Sequence, residues 1–259
     1  MRMAQHRAPG DVTPGTLSYN RLQSVDILRG IAIALMIVYH FSYDLTYFGF
    51  AEFDFYNDPF WLHARTLILS LFLFVVGISL VLAAGRRLRL RTYLIRLGYI
   101  VAGAALISLS SYLMFGPRWI FFGVLHFIAV ASILGLFFVR SPRLALLAGT
   151  GLIVLDSLFS HAFLDQPALQ WLGLMTYKPP TEDYVPLIPW FGVVLLGIFA
   201  GHRLLRHPVA RSLVHGQSGS SPARLLAFAG RHSLVIYMLH QPLLVGFLSA
   251  FREVVSAAM

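Results

Sequence analysis

Residues 25–48 read VDILRGIAIALMIVYHFSYDLTYF and establish what kind of protein this is. The stretch is apolar over more than the roughly 20 residues that a helix needs to cross a bilayer. It nevertheless contains Asp26, Arg29, His40 and Asp44. We interpret it as the first membrane-spanning helix, and its ionisable residues as functional candidates, because such side chains are costly inside a membrane.

The rest of the chain has the same apolar character. Of its 259 residues, 58% are hydrophobic and 12% are charged, and the mean hydropathy is +0.73. Soluble domains carry about 25% charged residues, so this composition excludes a soluble monomer and indicates an all-α polytopic membrane helix bundle. The absence of cysteine excludes disulfides, cysteine nucleophiles and thiolate metal sites.

Apolar runs of spanning length recur along the chain, separated by charged or Gly/Pro-containing loops. Backbone groups in lipid must bond internally, so runs of this length are helices. Residues 1–24 are polar and turn-rich and are expected to form a disordered cytoplasmic tail, followed by one transmembrane domain over residues 25–251. The seven predicted spans are about 25–48, 61–84, 93–114, 119–139, 144–163, 187–205 and 226–250.

The charged residues predict the orientation of these spans. With a cytoplasmic N-terminus, fifteen of the twenty Lys and Arg residues lie on the cytoplasmic side and four on the opposite side, as the positive-inside rule requires. Seven of the eleven acids, Asp183 among them, fall in the outer loops. We therefore expect the C-terminus outside. The net charge of +9 reflects this topology, and no nucleic-acid partner is expected.

The four ionisable residues of the first span share one stripe, about 60° wide at 100° per residue. Asp26 and Arg29 have a structural explanation, since an acid favours a helix N-terminus and the two can pair at i, i+3. His40 and Asp44 lie deeper and one turn apart. A carboxylate there can fix the tautomer of an imidazole and stabilise its charged form, as in a general base. A buried structural His–Asp pair is the alternative.

Other predicted spans carry further residues at a similar estimated depth. Singly, each could make a helix–helix hydrogen bond, but together they predict a polar substrate cavity or a path across the membrane. No metal site is expected, because the histidines lack ligand spacing on the spans. The residues predicted to line the cavity are His126, Asp156, Trp190, Tyr237, His240 and Gln241.

Residues 26–40 resemble the first transmembrane helix of membrane-bound acyltransferases, and the spacing Arg29-x10-His40 is similar to the signature of the bacterial acyltransferase-3 family. The fuller pattern resembles the bacterial relatives of heparan-alpha-glucosaminide N-acetyltransferase. That resemblance rests on YHFSYDL at 39–45, PLIPWFGVVLLG at 186–197, GRHSLVIYMLHQP at 230–242 and, more weakly, GVLH at 123–126.

The resemblance implies a transmembrane acyltransferase-like domain in a bacterial cytoplasmic (inner) membrane. Such a protein takes an acyl group from cytoplasmic acyl-CoA, most simply acetyl-CoA, and passes it to a hydroxyl or amine of a glycan or lipid-linked sugar. By position, Arg29 and His40 are the paired motif residues. In the lysosomal branch the catalytic histidine lies in the first lumenal loop, to which His63 is the nearest candidate here.

On this hypothesis His40 is the general base toward the acceptor and Asp44 orients it. Arg29, near the cytoplasmic end, positions a CoA phosphate or the thioester, supported by Arg86 and Arg87 in the basic loop, because guanidinium groups match phosphate geometry. Two alternatives remain open from the sequence. One is a small transporter or proton-coupled channel that uses the same polar stripe, and the other is a non-catalytic membrane scaffold.

Overall fold

The computed structural model describes residues 22–85, 88–181, 183–206 and 220–258. Most of the predicted tail, and Arg86 and Arg87, lie outside these residues. Every regular element within the described ranges is helical. The eight α-helices are α1 (Gln23–Tyr47), α2 (Pro59–Ala84), α3 (Leu90–Phe115), α4 (Val124–Phe138), α5 (Pro142–Leu158), α6 (Leu187–Arg206), α7 (Ser221–Arg231) and α8 (Ser233–Ala258).

Each of the seven predicted spans contains a helix, although the ends differ. Five helices are long and apolar enough to cross a membrane, namely α1, α2, α3, α6 and α8. Helices α4 and α5 have 15 and 17 residues, fewer than the roughly 20 that cross a bilayer unaided. The protein is therefore an all-α, multi-pass membrane protein. The count of seven, the sides of the termini and the domain limits of 25–251 stay predictions.

The centre of the bundle is formed by α2, α4 and α6. Leu73, Phe127 and Leu195, one from each helix, are fully buried. Helix α4 buries one broad side against its neighbours, whereas Ile133 and Phe137 on its other side are exposed.

Three helix crossings depend on glycine, because the backbones approach too closely for a side chain. A Cβ atom at any of these glycines would overlap atoms of the facing helix. Small residues permit such contacts in membrane proteins, where dispersion contacts replace the hydrophobic effect between helices. The pairs are Gly30 and Gly230 between α1 and α7, Gly77 and Gly197 between α2 and α6, and Gly149 and Gly192 between α5 and α6.

The predicted last span, 226–250, is divided in the structure. Helix α7 ends at Arg231 and α8 begins at Ser233, so residues 226–231 belong to a separate helix that crosses α1 at Gly30. The sequence carries a signal for this break, because Gly-Arg-His-Ser at 230–233 interrupts the apolar run with a glycine and three polar residues. Helix α8 then lies beside α1 in the same direction, with ring contacts at His40–His240 and Phe50–Phe251. The first and last of the seven predicted spans are expected to run in the same direction, as α1 and α8 do.

Candidate active site

The main polar contact between α1 and α8 joins four of the residues singled out in the sequence. The rings of His40 and His240 lie 5.0 Å apart between centroids, edge to face. The Nε2 of Gln241 donates a hydrogen bond of 2.8 Å to Oδ1 of Asp44. Asp44 is only 2% exposed. Two consecutive residues of α8 therefore meet two residues of α1 that are one turn apart.

Three buried polar atoms in this contact have no hydrogen-bond partner among the described residues. They are Oδ2 of Asp44, Nε2 of His240 and Oε1 of Gln241. Leaving one such atom unpaired costs about 1–3 kcal/mol, and native proteins bond nearly all of them. Ordered waters or a polar ligand commonly satisfy buried groups of this kind.

The tautomer of His240 follows from its hydrogen bond. Its Nδ1 lies 2.6 Å from the carbonyl oxygen of Tyr237. A carbonyl oxygen only accepts, so Nδ1 carries the hydrogen and the neutral ring presents a lone pair at Nε2. His40 has ring contacts with Tyr39 and His240.

Asp44 does not orient His40 through a hydrogen bond, as the sequence suggested. Within the described part of the chain, the bond of its Oδ1 goes to Gln241. The physical reason is that the amide of Gln241 faces Asp44 across the helix contact, and the spacing along α1 contains no information about α8. Asp44 still lies one helical turn from His40, where Cβ atoms are about 5–6 Å apart.

Asp183 is a further candidate for the site, although the sequence presents it only as one of the acids of the outer loops. Its Oδ2 accepts hydrogen bonds from the hydroxyl of Tyr237 at 2.9 Å and from the backbone N–H of Val124 at 3.1 Å. Burial raises the pKa of Asp183, while these two bonds act in the opposite direction. The position three residues before the 186–197 motif is the one signal in the sequence that could have indicated it.

His126 is joined to the same region through the first turn of α4. Its Nδ1 accepts from the backbone N–H of Gly123 at 3.2 Å, and its Nε2 lies 3.0 Å from the hydroxyl of Ser108 on α3. Both ring nitrogens are therefore engaged by protein. Val124, the residue after Gly123, donates its backbone N–H to Asp183. His126 therefore stabilises the helix turn that holds Asp183 in place.

Asp156 and Trp190 are not joined to the contact between α1 and α8 by any hydrogen bond or ring contact in the described ranges. Asp156 is exposed on α5, and its charge acts on Tyr184. Trp190, in the first turn of α6, packs against the hydrophobic core. Their predicted role in the cavity stays a prediction.

Arg29 connects three helices at the other end of the stripe. One guanidinium nitrogen donates to Asp26 at 3.2 Å and to the carbonyl of Gly230 at 3.3 Å, and the other donates to Ser79 on α2 at 2.6 Å. The side chain is 11% exposed, and it lies roughly 16 Å from His40 along the helix axis. These bonds give Arg29 a structural role, with which any contact to a phosphate would compete.

Comparison with known families identifies the family of this chain. The model of the family "Heparan-alpha-glucosaminide N-acetyltransferase, catalytic" matches residues 21–242. The chain belongs to this family. The resemblance inferred from the sequence is thereby confirmed, and the protein is a member of a family of transmembrane acetyltransferases. No curated protein and no solved structure matches it.

The matched residues run from the start of α1 to Pro242 in α8. They therefore include both sides of the α1–α8 contact, together with Asp183 and the crossing of α1 and α7. Among the described residues there is no group of three His, Asp or Glu side chains arranged to hold a metal ion. The chemistry available at the contact is that of imidazole, carboxylate and amide groups.

Proposed function

We propose that the protein transfers an acyl group, most simply acetyl, from cytoplasmic acyl-CoA to a hydroxyl or amine of a glycan or lipid-linked sugar. The observation that supports this most directly is the half-buried contact of His40 with His240, beside three unpartnered polar atoms, inside the region matched by an acetyltransferase family. Histidine is the side chain that enzymes use most often as a general base.

In this proposal His40 is the general base. As the acceptor oxygen or nitrogen attacks the thioester carbonyl, its proton moves to His40, the new O–C or N–C bond forms and the C–S bond breaks. The imidazolium then returns the proton to the CoA thiolate, so that CoA leaves as the thiol. The reaction needs no further reactant, and general-base assistance contributes about 10²–10⁴-fold in rate.

Asp44 and Arg29 have different roles in the proposed reaction. Asp44 places a negative charge one turn from His40, which stabilises the imidazolium when it forms. Arg29 acts as a positioning residue at the donor end, since its guanidinium fixes α1 against α2 and α7. The basic loop with Arg86 and Arg87 supplies cations for the phosphates of CoA.

The donor and the acceptor are proposed to reach the site from opposite sides of the membrane. The positive-inside pattern places the basic loop on the cytoplasmic side of a bacterial inner membrane, where acyl-CoA is found, and His40 in the opposite half of the bilayer. The acyl group and the acceptor would then meet at the α1–α8 contact.

The test uses the full chain in nanodiscs with radiolabelled acetyl-CoA and octyl β-D-glucosaminide as the acceptor. We expect label in the octyl glycoside with the wild type, and a loss of at least 100-fold in kcat for His40→Ala with acetyl-CoA binding retained. His63→Ala is the matched control, because the exposed His63 bonds a carbonyl of its own helix, and we expect full activity.

Three outcomes would contradict the proposal. One is the absence of both CoA binding and label transfer by the wild type. Another is full activity of His40→Ala together with inactivity of His63→Ala, which would move the base to the α1–α2 loop. The last is proton-coupled flux of solute into proteoliposomes without acyl-CoA, which would make the protein a transporter.

A further inference from the structure

The side chain of Asp183, in the loop before α6, is linked to His40 by a continuous series of contacts. The Asp183 carboxylate accepts the hydroxyl of Tyr237 at 2.9 Å. The ring of Tyr237 lies 5.6 Å from the ring of His240 between centroids, and the ring of His240 lies 5.0 Å from that of His40. The backbone carbonyl of Tyr237 also accepts the Nδ1–H of His240. Each step is a direct contact between neighbouring groups.

We propose that Asp183 is a positioning residue for the proposed reaction. By accepting the Tyr237 hydroxyl, it fixes the rotation of α8 in which His240 packs against His40, and so fixes the orientation of the His40 ring. In this role Asp183 acts through Tyr237 and His240 and need not touch either reactant. The inference rests on the proposed function, in which His40 is the general base.

Asp183 is suited to this role because its own segment is fastened to the start of α4. Its Oδ2 accepts the backbone N–H of Val124, the first residue of α4, at 3.1 Å. Two residues after Asp183, the N–H of Val185 donates to the carbonyl oxygen of Phe122 at 3.2 Å. A negative charge at a helix N-terminus is also favoured by the helix dipole. The carboxylate is therefore tied to a fixed part of the backbone.

The close approach of Asp183 to α4 requires a glycine. A Cβ atom at Gly123 would lie 2.5 Å from Oδ2 of Asp183 and 3.0 Å from its Cγ. The first of these distances is shorter than real Cβ contacts allow, so any side chain at this position displaces the carboxylate. Gly123 thus offers a way to disturb the anchor without changing Asp183 or Tyr237.

Helix α8 depends on a small number of directional contacts. Among the described residues, two side-chain hydrogen bonds join it to the rest of the bundle, Tyr237 to Asp183 and Gln241 to Asp44. Apolar contacts are non-directional, whereas a hydrogen bond restricts both distance and angle. Tyr237 and Gln241 lie one turn apart on one face of α8, and His240 belongs to the same turn. Without the bond to Asp183, this turn is held by a hydrogen bond on the α1 side alone.

The first test compares two substitutions of Asp183 in the full chain in nanodiscs, with acetyl-CoA and octyl β-D-glucosaminide. Asp183→Leu has a side chain of similar size that accepts no hydrogen bond. A small misplacement of a catalytic group is costly in rate, so we expect kcat to fall at least tenfold while the KM for acetyl-CoA stays within twofold. Asp183→Asn is the matched conservative variant, because one oxygen accepts both bonds and an amide oxygen can keep them. We expect it to retain at least half of the wild-type kcat.

Two results of this comparison would overturn the proposal. Full activity of Asp183→Leu would show that the reaction does not need the anchor. Equal loss of kcat in Asp183→Leu and Asp183→Asn would show that the charge of Asp183, rather than its hydrogen bonds, supports the reaction.

The second test breaks the same contact from its other sides. Tyr237→Phe removes the hydroxyl, and Gly123→Ala places a methyl group where the carboxylate of Asp183 lies. We expect both variants to lose kcat as Asp183→Leu does. Tyr99→Phe and Gly151→Ala are the matched controls, because Tyr99 is exposed on α3 and a Cβ at Gly151 meets no other atom within 4 Å. Both controls should be fully active, and full activity of Tyr237→Phe would overturn the proposal.

A spectroscopic measurement separates failure of this inference from failure of the proposed function. Solid-state NMR of the protein with isotope-labelled histidine detects a cross peak between the rings of His40 and His240, which is assigned by its loss in His240→Leu. We expect this cross peak in the wild type and in Asp183→Asn, and its loss in Asp183→Leu and Tyr237→Phe. That pattern supports the positioning role even if no label is transferred. A cross peak that persists in both Asp183→Leu and Tyr237→Phe overturns it, whatever their activity.

Discussion

Helix α1 carries two polar clusters that differ in how completely the protein satisfies them. Around Arg29, every hydrogen bond described leads to another part of the chain, namely Asp26, Ser79 and the carbonyl of Gly230. Around Asp44, three buried atoms have no partner among the described residues. A satisfied cluster stabilises the fold, whereas an unsatisfied one has a cost that binding of a ligand can offset.

The same difference separates two residues that belong to one family motif. The sequence places Arg29 and His40 in one signature with a fixed spacing, which suggests a single catalytic unit. The structure instead engages Arg29 at the crossing of three helices and leaves His40 beside the unpartnered atoms. Under our proposal the two residues of one motif serve packing and chemistry, and each role predicts a different response to substitution.

The largest effect is expected at the crossing of α1 and α7. Gly30→Leu or Gly230→Leu places a side chain where the facing backbone lies. The resulting loss of stability should exceed the roughly 1–3 kcal/mol that ordinary overpacking costs. We expect loss of monodisperse protein in size-exclusion chromatography, with acetyl-CoA binding lost together with it.

Gly98→Leu and Gly246→Leu are the matched controls, because a Cβ at either position in α3 or α8 meets no other atom within 4 Å. Both should fold normally, since leucine has the higher helix propensity. Folded, active Gly230→Leu would show that α7 does not need its contact with α1.

The next effect compares the two clusters directly. Arg29→Leu removes the guanidinium that pairs with the buried Asp26 carboxylate, and breaking a buried pair costs about 3–5 kcal/mol, so a strong fall in Tm is expected. His240→Leu removes an unpartnered nitrogen and should leave Tm unchanged or raise it while activity is lost. Thermal unfolding in detergent, followed by near-UV circular dichroism, measures both.

Arg29→Lys tests whether the arginine also holds the donor. If Arg29 has only a structural role, the fraction of folded protein falls. The protein that does fold then binds CoA with a Kd within twofold of the wild type. A Kd that rises tenfold in protein of normal Tm would instead make Arg29 a ligand of CoA. Equal losses of Tm in Arg29→Leu and His240→Leu would remove the distinction between the two clusters.

The smallest effect is expected at Asp183. Both of its hydrogen bonds are accepted by one oxygen, so the amide oxygen of Asp183→Asn can keep them and Tm near neutral pH should change by only a few degrees. The raised pKa of Asp183 means that its ionisation favours the unfolded state. Stability therefore falls as pH rises from the ordinary carboxyl pKa of about 3.9 through the raised value.

Asp183→Asn should remove that fall, so that Tm of the variant relative to the wild type increases with pH over this interval. The control is Asp54→Asn, because hydrogen bonds from Asn57 lower the pKa of Asp54. Its wild-type carboxylate adds stability above the ordinary carboxyl pKa, which is lost as pH falls through the lowered value. The same pH profile for both variants would contradict the assignment at Asp183.

Much of this architecture is readable from the residues themselves. The length of the apolar runs predicts the helices, and the 3.6-residue period places Asp26, Arg29, His40 and Asp44 on one face of α1. The pairing of Asp26 with Arg29 at i, i+3 is also a local property, and it is present in the structure. The family resemblance follows from short motifs that the same residues contain.

Contacts between helices are where prediction from the sequence fails. The bond of Asp44 to Gln241 spans 197 positions, and that of Tyr237 to Asp183 spans 54. Neither spacing follows a helical period. The break between α7 and α8 is marked in the sequence by Gly-Arg-His-Ser at 230–233, but the close approach of Gly230 to α1 is visible only in the structure.

The amino-acid sequence alone therefore established a helical membrane protein, its polar stripe and its family, because length, hydropathy and period act within one helix. The arrangement of the helices established which side chains lie together: His40 with His240, Asp44 with Gln241, and Arg29 with Ser79 and Gly230. It also separated the satisfied cluster from the unsatisfied one. Partners across a helix contact are fixed by close backbone packing at distant glycines, which is a property of the assembled bundle.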